Sequence, residues 1–483
     1  SNSNVGIGNY TMDAAMNGAL YNTAVGYSAL TDLTTADQNT CYGYNSGANL
    51  TTGGSNTFIG AEAGFTSLAV QRAICIGKNA GYAGAMTTGA GDGTGADGTI
   101  SIGYDAGRAI TSGSGNLSIG FEALKVEDDG DFNVAVGYQA LTAQTGTSGA
   151  VGNTAMGYQA GMAVTTGVGN TAIGYQAADG ITTGDRNLVI GYQAMGDSGG
   201  ATVLDSDDNV FIGYQAGGGT WVTAKSNNNV GIGNYALDGA MNGSSNNTAV
   251  GYSAGGAITT GDGNVCIGKG SGSHDVNLTT GGNNTLVGVN TDVSAVGASN
   301  QTAIGNDCQA QADNSVTLGN ASVTDVYMAM NVGARFTIGT GGAVTMPNQP
   351  AFQVIPASTQ TNIATGGVTI VFGTERFDQG ADFATNTFTA PVTGKYQLDV
   401  NIYVDNIDTA AGYYQLELTT SNKTYYSVID PNLSGDAAYW SFHISVLADM
   451  DASDTASVGL HQSSGTAQTD IATSSNFSGY LAC

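Results

Sequence analysis

The chain is 483 residues long and carries 38 acidic against 11 basic side chains, a formal net charge of −27. Because the sequence has no cluster of Lys or Arg, we expect no nucleic-acid partner. A hydrophobic share of 41 % with only 10 % charged residues excludes an intrinsically disordered chain. No apolar run is long enough to predict a membrane-spanning helix, so we expect no membrane insertion.

Residues 1–319 repeat one short motif, Asn-Thr-Ala-Val-Gly followed by Tyr-x-Ala. Nine of the 17 intervals between its glycines are 17 residues long, and such a fixed short period is typical of a stacked solenoid. The 18 anchoring glycines are Gly8, Gly26, Gly43, Gly60, Gly77, Gly103, Gly120, Gly137, Gly157, Gly174, Gly191, Gly213, Gly233, Gly251, Gly268, Gly288, Gly305 and Gly319. The sequence therefore predicts an all-β chain that begins with a parallel β-roll or β-solenoid shaft over 1–319.

Each repeat has apolar or β-branched residues one and three positions before its glycine, such as Val25 and Thr23. This period of two predicts a short strand that ends at the glycine. The Thr/Gly/Asp-rich remainder predicts turns and a second, weaker strand. We expect the core of a coil to consist of the Ile or Val, one Ala and one β-branched residue. Because so thin a core buries little area, the sequence predicts that chains share it in a homotrimer.

Residues at equivalent positions of successive coils predict two ladders. Stacked rings and stacked amides both stabilise a β-solenoid, and this is the interpretation that we favour. The ladders are Tyr138, Tyr158, Tyr175 and Tyr192 after the glycine, and Asn133, Asn153, Asn170 and Asn187 before it. A sugar-binding stripe is the alternative for the tyrosines.

The repeat stops after Gly319. Residues 320–346 contain alternating segments that predict a β-rich neck, and all five prolines lie beyond them. Residues 347–483 contain short alternating stretches separated by turn signals, among them Lys395 to Val404 and Ser441 to Leu447. This pattern predicts an antiparallel sandwich.

The shaft repeat resembles the head repeats of trimeric autotransporter adhesins, which have an Asn-x-x-Ala-Ile-Gly pattern; the nearest copy is Asn314 to Gly319. Similar arrays occur in tail fibres of bacterial viruses. The resemblance implies a left-handed parallel β-roll with three chains per shaft.

The C-terminal part resembles the jelly roll of complement q-subcomponent and tumour-necrosis-factor proteins, in Phe377 to Tyr396 and in Asn476 to Leu481. That family implies a compact trimer. A trimeric autotransporter would end in a membrane β-barrel, so a terminal jelly roll favours a viral tail fibre.

No catalytic motif is present, so we expect no enzyme, no cofactor and no metal site. The histidines are scattered, and most cysteines stand where Ala or Ser is usual, which predicts buried thiols rather than disulfides. Asp-rich loops at 127–131, at 205–208 and after residue 90 offer oxygen ligands to calcium. None has the spacing of a defined calcium loop, and solvated turns are the default.

We predict a homotrimeric fibre that attaches a virus particle to a glycan or protein of a host cell surface. The shaft would be a rigid spacer and the jelly roll, 347–483, the receptor-binding tip. The protein would act outside the cell, on a virion tail or a cell surface. Because the chain opens at Ser1 inside a repeat, we expect an upstream anchor.

Aromatic residues of the tip are the predicted receptor contacts: Tyr413, Tyr414, Tyr425, Tyr426, Tyr439 and Trp440. Packing in the core or in a trimer interface is the alternative for them. The alternatives for the whole chain are a cellular adhesin or structural filament subunit, and a polysaccharide depolymerase, for which coils of 17 residues are slim.

Overall fold

The computed structural model describes residues 3–82, 86, 95–145, 149–196, 205–221, 224–324, 326–327, 335–338, 344–345, 349–432, 435 and 437–482. The chain forms two compact units, 1–322 and 323–483. Throughout the described ranges the regular elements are strands, and no helix there is long and apolar enough to cross a bilayer. The predicted fold class, a parallel β-solenoid followed by an antiparallel sandwich, is confirmed.

The first unit is a solenoid whose parallel sheet has 18 strands, each ending directly before an anchor glycine. Each strand of this sheet pairs in parallel with that of the next coil. Two further short strands, β8 and β10, pair with each other. The strands of the unit are β1 (Val5–Ile7), β2 (Thr23–Val25), β3 (Thr40–Tyr42), β4 (Thr57–Ile59), β5 (Ile74–Ile76), β6 (Ile100–Ile102), β7 (Leu117–Ile119), β8 (Gly130–Asp131), β9 (Val134–Val136), β10 (Gly149–Ala150), β11 (Thr154–Met156), β12 (Thr171–Ile173), β13 (Leu188–Ile190), β14 (Val210–Ile212), β15 (Val230–Ile232), β16 (Thr248–Val250), β17 (Val265–Ile267), β18 (Thr285–Val287), β19 (Gln301–Ile304) and β20 (Ser315–Leu318).

The anchor glycine is required by the close approach of neighbouring coils. Gly26 has a φ of 144°, and a Cβ added to it would lie 2.2 Å from the carbonyl oxygen of Gly43. Any side chain there would collide with the next coil and force a conformation that only glycine adopts readily. The strand therefore ends at the same residue type in every coil.

The face of each strand that lines the interior of the solenoid is the one that was predicted to point outward. Asn22 and Ala24 are fully buried, whereas Thr23 is exposed and Val25 only partly buried. Side chains alternate along a strand, so the residues two and four before the glycine share the inward face. The prediction that the β-branched residues and the Ile or Val form the core is therefore wrong.

Each coil fills its own interior. Small residues two before and three after the glycine, such as Ala135 and Ala140, meet larger side chains from the turns, such as Leu141 and Trp221. The indole N–H of Trp221 donates to the carbonyl of Gly217 at 2.7 Å. The shaft core thus closes within one chain.

The second strand predicted for each coil is found only as the β8–β10 pair among the described coils. The segment after the glycine is instead a series of turns, in which Gln139 and Leu141 have φ values of 54° and 49°. A left-handed residue at every other position prevents an extended strand. Its backbone groups still bond from coil to coil, as from the N–H of Gln159 to the carbonyl of Tyr138 at 2.8 Å.

Of the predicted neck, 320–346, the structure describes 320–324 and three short antiparallel strands, β21 (Val326–Tyr327), β22 (Arg335–Ile338) and β23 (Val344–Thr345). The remainder of the neck lies outside the described residues.

The C-terminal unit packs two antiparallel sheets around one aromatic and aliphatic core. Its strands are β24 (Ala351–Ile355), β25 (Gly366–Thr369), β26 (Thr374–Gln379), β27 (Phe383–Ala384), β28 (Thr387–Thr389), β29 (Gly394–Ile407), β30 (Tyr414–Thr420), β31 (Thr424–Ile429), β32 (Ala437–Met450), β33 (Thr455–Gln462), β34 (Asp470–Ile471) and β35 (Asn476–Leu481). The first sheet has the order β26-β24-β35-β29-β32, with β34 beside β29. The second has the order β27-β28-β33-β30-β31, with β25 beside β33.

Candidate functional site

The shaft carries an exposed column of stacked rings. Neighbouring centroids lie 4.8–5.4 Å apart and the ring planes differ by 7–12°. This stacked column consists of Tyr104, Phe121, Tyr138, Tyr158, Tyr175, Tyr192 and Tyr214. Because each inner ring has a neighbour on both faces, no sugar can lie against those faces, and the column presents only ring edges. The geometry favours the stabilising interpretation of the tyrosine ladder over the sugar-binding stripe.

A ladder of glutamine amides runs beside the stacked column. Gln159 donates to Gln139 at 2.9 Å, Gln176 donates to Gln159 at 3.1 Å, and Gln193 donates to Gln176 at 3.1 Å. This ladder was not predicted, although the repeated Gly-Tyr-Gln triplet is a sequence signal for it.

The asparagine ladder lies inside the solenoid. The side-chain oxygen of Asn153 accepts the backbone N–H of Asn170 at 2.7 Å, and that of Asn170 accepts the backbone N–H of Asn187 at 2.9 Å. The oxygen of Asn133 likewise accepts the N–H of Asn153 at 3.0 Å. All four amides are buried, so their role is to satisfy the backbone of the next coil rather than to bind a ligand.

The acidic loops are tied into turns. Glu127 is buried and accepts the N–H of Gly130 at 2.7 Å and the amide of Gln144 at 2.6 Å. Burial raises the pKa of its carboxyl group. In the loop 205–208, Arg186 donates to both oxygens of Asp208, at 2.7 Å and 2.9 Å. That these loops are solvated turns rather than calcium sites stays a prediction, and residues 91–94 of the third loop lie outside the described residues.

One cluster that combines a histidine with two carboxylates escaped the sequence analysis. Nδ1 of His274 lies 3.2 Å from Asp275 and 3.8 Å from Asp292, which belongs to the following coil. Asp292 follows Asp275 by 17 positions and His274 by 18, and the stacking of coils brings it beside both. Asp292 already accepts the backbone N–H groups of His274 and Asp275, at 3.2 Å and 2.8 Å, and so shapes this turn.

The thiols of the described cysteines are free and buried, as the sequence predicted. Burial raises the pKa of Cys75 and of Cys266 to about 12, which leaves both protonated and unreactive.

Tyr414 is not available to a receptor. It is fully buried, its hydroxyl accepts the backbone N–H of Asp408 at 3.0 Å, and it lies 2.6 Å from Oγ1 of Thr469. Its assignment as a receptor contact is therefore wrong, and it belongs to the core of the sandwich.

Three of the predicted contacts lie on or beside the second sheet. Tyr413 stacks on His461 with the ring centroids 5.6 Å apart. Tyr425 packs against the core, and Nζ of Lys423 lies 5.1 Å from the centre of its ring. Tyr426 points outward and is 58 % exposed.

The other two predicted receptor contacts, Tyr439 and Trp440, lie on β32, at the edge of the first sheet. Tyr439 is 64 % exposed and stacks on Tyr403 at 5.9 Å. Trp440 is the next residue and is also exposed, but it pairs with the buried Val404 and so faces the opposite side of the strand. The six predicted contacts therefore do not form one patch.

The outward face of the shaft sheet is apolar. The outward face of the shaft sheet consists of the residues one and three positions before each anchor glycine, which are mostly Ile, Val, Leu or Thr. Met156, Ile232 and Ile304 on this face are 37–47 % exposed. Large contiguous patches of exposed apolar surface are typical of interaction sites in proteins.

The outward face of the first C-terminal sheet is also apolar. Four large side chains there are about half exposed or more: Phe377, Tyr439, Leu447 and Tyr480. They belong to β26, β32 and β35, so the exposed groups extend across the sheet.

Comparison with known proteins finds a family match within the second unit. Residues 351–482 match the C1q domain family. This part of the chain is C1q-like. The globular domain of zebrafish complement 1qA protein has 16 % identity, with 28 % of this chain and 98 % of that chain covered and a TM-score of 0.22. Two crystal structures of murine APRIL, at pH 8.5 and pH 8.0, have 9 % and 8 % identity, the same coverage, and TM-scores of 0.21 and 0.22.

The predicted resemblance to the complement and tumour-necrosis-factor jelly roll is thus confirmed for the C1q-like part. None of the curated proteins matches the chain.

Proposed function

We propose that this chain forms a homotrimeric fibre that attaches a virus particle to a host cell surface. The β-solenoid is the shaft, and the C1q-like domain is the receptor-binding tip. The observation that carries the proposal is the combination of an apolar outward face on the shaft sheet with a C1q-like domain, because such domains commonly form trimers. Both folds typically serve structural or binding roles rather than catalysis.

The shaft supports assembly through its outward face. Its core closes within the chain, so the exposed parts of the Ile, Val and Met side chains on this face are not needed to complete that core. Their burial against further copies would remove apolar surface from water, at about 25 cal/mol per Å². A flat, regular sheet face repeated over about 85 Å, at 4.8 Å per coil, suits a parallel neighbour of the same sequence.

The C1q-like unit supports the same stoichiometry through the outward face of its first sheet. If this face is covered by other copies, Tyr439 and Tyr480 become interface residues. Tyr413 and Tyr426, at the second sheet, then remain available, and we assign receptor contact to them.

Sedimentation of the full chain tests the assembly, with a trimer as the expected species. Met156→Glu and Ile232→Glu place a charge on the outward face and are expected to dissociate it without unfolding the coils. Leu68→Glu is the matched control, because Leu68 is equally exposed but lies in a turn. A folded monomer for the unaltered chain at micromolar concentration would refute the trimer.

Labelled full-length protein tests attachment on a panel of bacterial cells. We expect Tyr426→Ala to weaken binding to a susceptible strain about tenfold, as for an aromatic hot spot. The matched control is Tyr21→Ala, because Tyr21 is a similarly exposed tyrosine of the shaft. Antibody labelling in electron micrographs distinguishes the viral role from a cellular adhesin by the particle or cell that carries the fibre.

A further inference from the structure

The stacked column ends at Tyr214 because the next tyrosine is displaced by one position. The next coil reads Gly233-Asn234-Tyr235, whereas the preceding coil reads Gly-Tyr-Gln. The ring of Tyr235 stands at 73° to that of Tyr214 and at 79° to that of Tyr252, with centroids 5.2 Å and 5.8 Å apart. The rings of Tyr214 and Tyr252 therefore do not stack on the ring of Tyr235, and the Tyr235 side chain is partly exposed.

A cleft of about 420 Å³ opens beside the turned ring. Three successive coils line it: Tyr235 and Asp238 from the first, Tyr252 and Gly256 from the second, and Ser273 and Asn277 from the third.

Gly256 lines the cleft, and a Cβ added to it would lie 3.3 Å from the carbonyl oxygens of Ser253 and Tyr235. Gly256 stands five positions after Gly251, and the coil of Gly26 has Thr31 at the same position. The hydroxyl of Thr31 donates to the carbonyl of Ser28 at 2.8 Å and lies 3.2 Å from the carbonyl of Tyr10, which is the other tyrosine preceded by Gly-Asn. The same displaced tyrosine thus occurs twice, but at Tyr10 a threonine side chain occupies the position that glycine leaves empty at the cleft.

The polar groups of the cleft are mainly acceptors. Asp238 is partly buried, and no donor in the described part of the chain reaches its carboxylate. Ser273 donates to the carbonyl of Ser253, so its own oxygen remains an acceptor toward the cleft. The amide of Asn277 both donates and accepts.

This set of groups fits a neutral sugar. A pyranose has an apolar face that packs on an aromatic ring and vicinal hydroxyls that donate to the two oxygens of one carboxylate. An anionic sugar would meet Asp238 and a chain of net charge −27.

We propose that the cleft formed by Tyr235, Asp238 and Tyr252 binds a neutral hexopyranose unit of an extracellular polysaccharide. The apolar face of the sugar packs on Tyr235, two vicinal hydroxyls donate to Asp238, and Asn277 contacts a third. The site lies in the shaft and depends on neither the C1q-like tip nor a trimer.

Saturation-transfer NMR and calorimetry on the full chain test the site. The probes are the methyl glycosides of glucose, galactose and mannose at millimolar concentration, with sialyllactose and tetramethylammonium for comparison. The cleft variants are Tyr235→Ala and Gly256→Thr; the second keeps every lining side chain and copies the residue found at Thr31. The matched control is Tyr175→Ala, which removes a similarly placed tyrosine whose two faces are covered.

We expect at least one neutral glycoside to bind. Each cleft variant should weaken the affinity for that glycoside about tenfold or more, and Tyr175→Ala should leave the affinity unchanged within about twofold. Thermal melts identify any variant that fails to fold, in which case Gly256→Thr decides. The proposal fails if no neutral glycoside binds, if only sialyllactose or tetramethylammonium binds, or if binding survives in Gly256→Thr. Failure of this proposal would not contradict receptor binding at the tip, because Tyr426→Ala tests that binding separately.

Discussion

The buried amides are the residues on which the shaft depends most. The oxygen of Asn170 accepts the N–H of Asn187, and its nitrogen donates to the carbonyl of Gly184 at 2.8 Å. Water cannot replace the lost partner in a closed interior. A buried polar group left unpaired costs about 1–3 kcal/mol.

Asn170→Ala is therefore expected to lower the free energy of unfolding by about 2–4 kcal/mol, since it leaves two backbone groups unpaired. The control is Asn306→Ala, which removes an exposed amide that donates to Asp307 and should change stability by less than about 0.5 kcal/mol. Denaturant titration followed by circular dichroism measures both. Equal losses in the two variants would show that the amide ladder has no special role.

Asp238 is expected to make stability depend on pH. Burial raises its pKa from 3.8 to about 6, so the folded state binds the proton more tightly than the unfolded state. Its ionisation therefore opposes folding: the penalty is absent below pH 3.8 and fully present above about pH 6.

Asp238→Asn should accordingly stabilise the protein at pH 7.5, on the order of 1 kcal/mol after allowance for solvent screening. At pH 3.5 the variant and the unaltered chain should melt together. Thermal melts across this range measure the difference, and a gain that persists unchanged in acid would contradict the assignment to this carboxyl group.

At the scale of the coil, the spacing between neighbours is set by the anchor glycine. Gly174 has a φ of 137°, and a Cβ there would lie 2.3 Å from the carbonyl oxygen of Gly191. Gly174→Ala should cost about 2 kcal/mol or more and expose the adjacent coils to proteases. Gly297→Ala is the control, because the nearest atom to its Cβ would be the side-chain oxygen of Thr280, at 3.2 Å. Similar proteolysis and melting of the two variants would count against this explanation.

The strand positions could be predicted from the sequence, but the direction of their side chains could not. Both faces of a strand such as Thr171–Ile173 carry residues that tolerate burial, so hydrophobicity alone does not choose between them. The choice is made by Asn170, whose amide has hydrogen-bonding partners only inside the solenoid. The small residue Ala172, on the same face, is the signal that was overlooked.

In the C-terminal unit, too, the direction of side chains could not be predicted from the sequence. Adjacent residues of a strand point to opposite faces, so Tyr425 and Tyr426 cannot both face solvent from one sheet. Aromatic pairs in the sequence therefore locate strands better than they locate surfaces. The turned ring of Tyr235, by contrast, could have been found from the Gly-Asn-Tyr order alone.

For the whole molecule, the net charge of −27 opposes assembly. Copies packed through the outward face of the shaft sheet would bring like charges together. Salt screens the repulsion between charges that are more than about 10 Å apart at 0.1 M, and more than about 3 Å apart at 1 M. The trimer fraction in sedimentation velocity should rise with NaCl at fixed protein concentration. Dissociation by salt would instead indicate that ion pairs hold the interface.

Pairing in the shaft sheet is confined to adjacent turns, and this has a genetic consequence. The segments that follow Asn153 and Asn170 are near copies of equal length. Recombination between the corresponding stretches of DNA would insert or remove one complete coil of the solenoid in frame, without leaving a mismatched junction. Lineages would then vary the reach of the protein in steps of about 4.8 Å, and related genomes should differ by whole turns more often than by fractions of one.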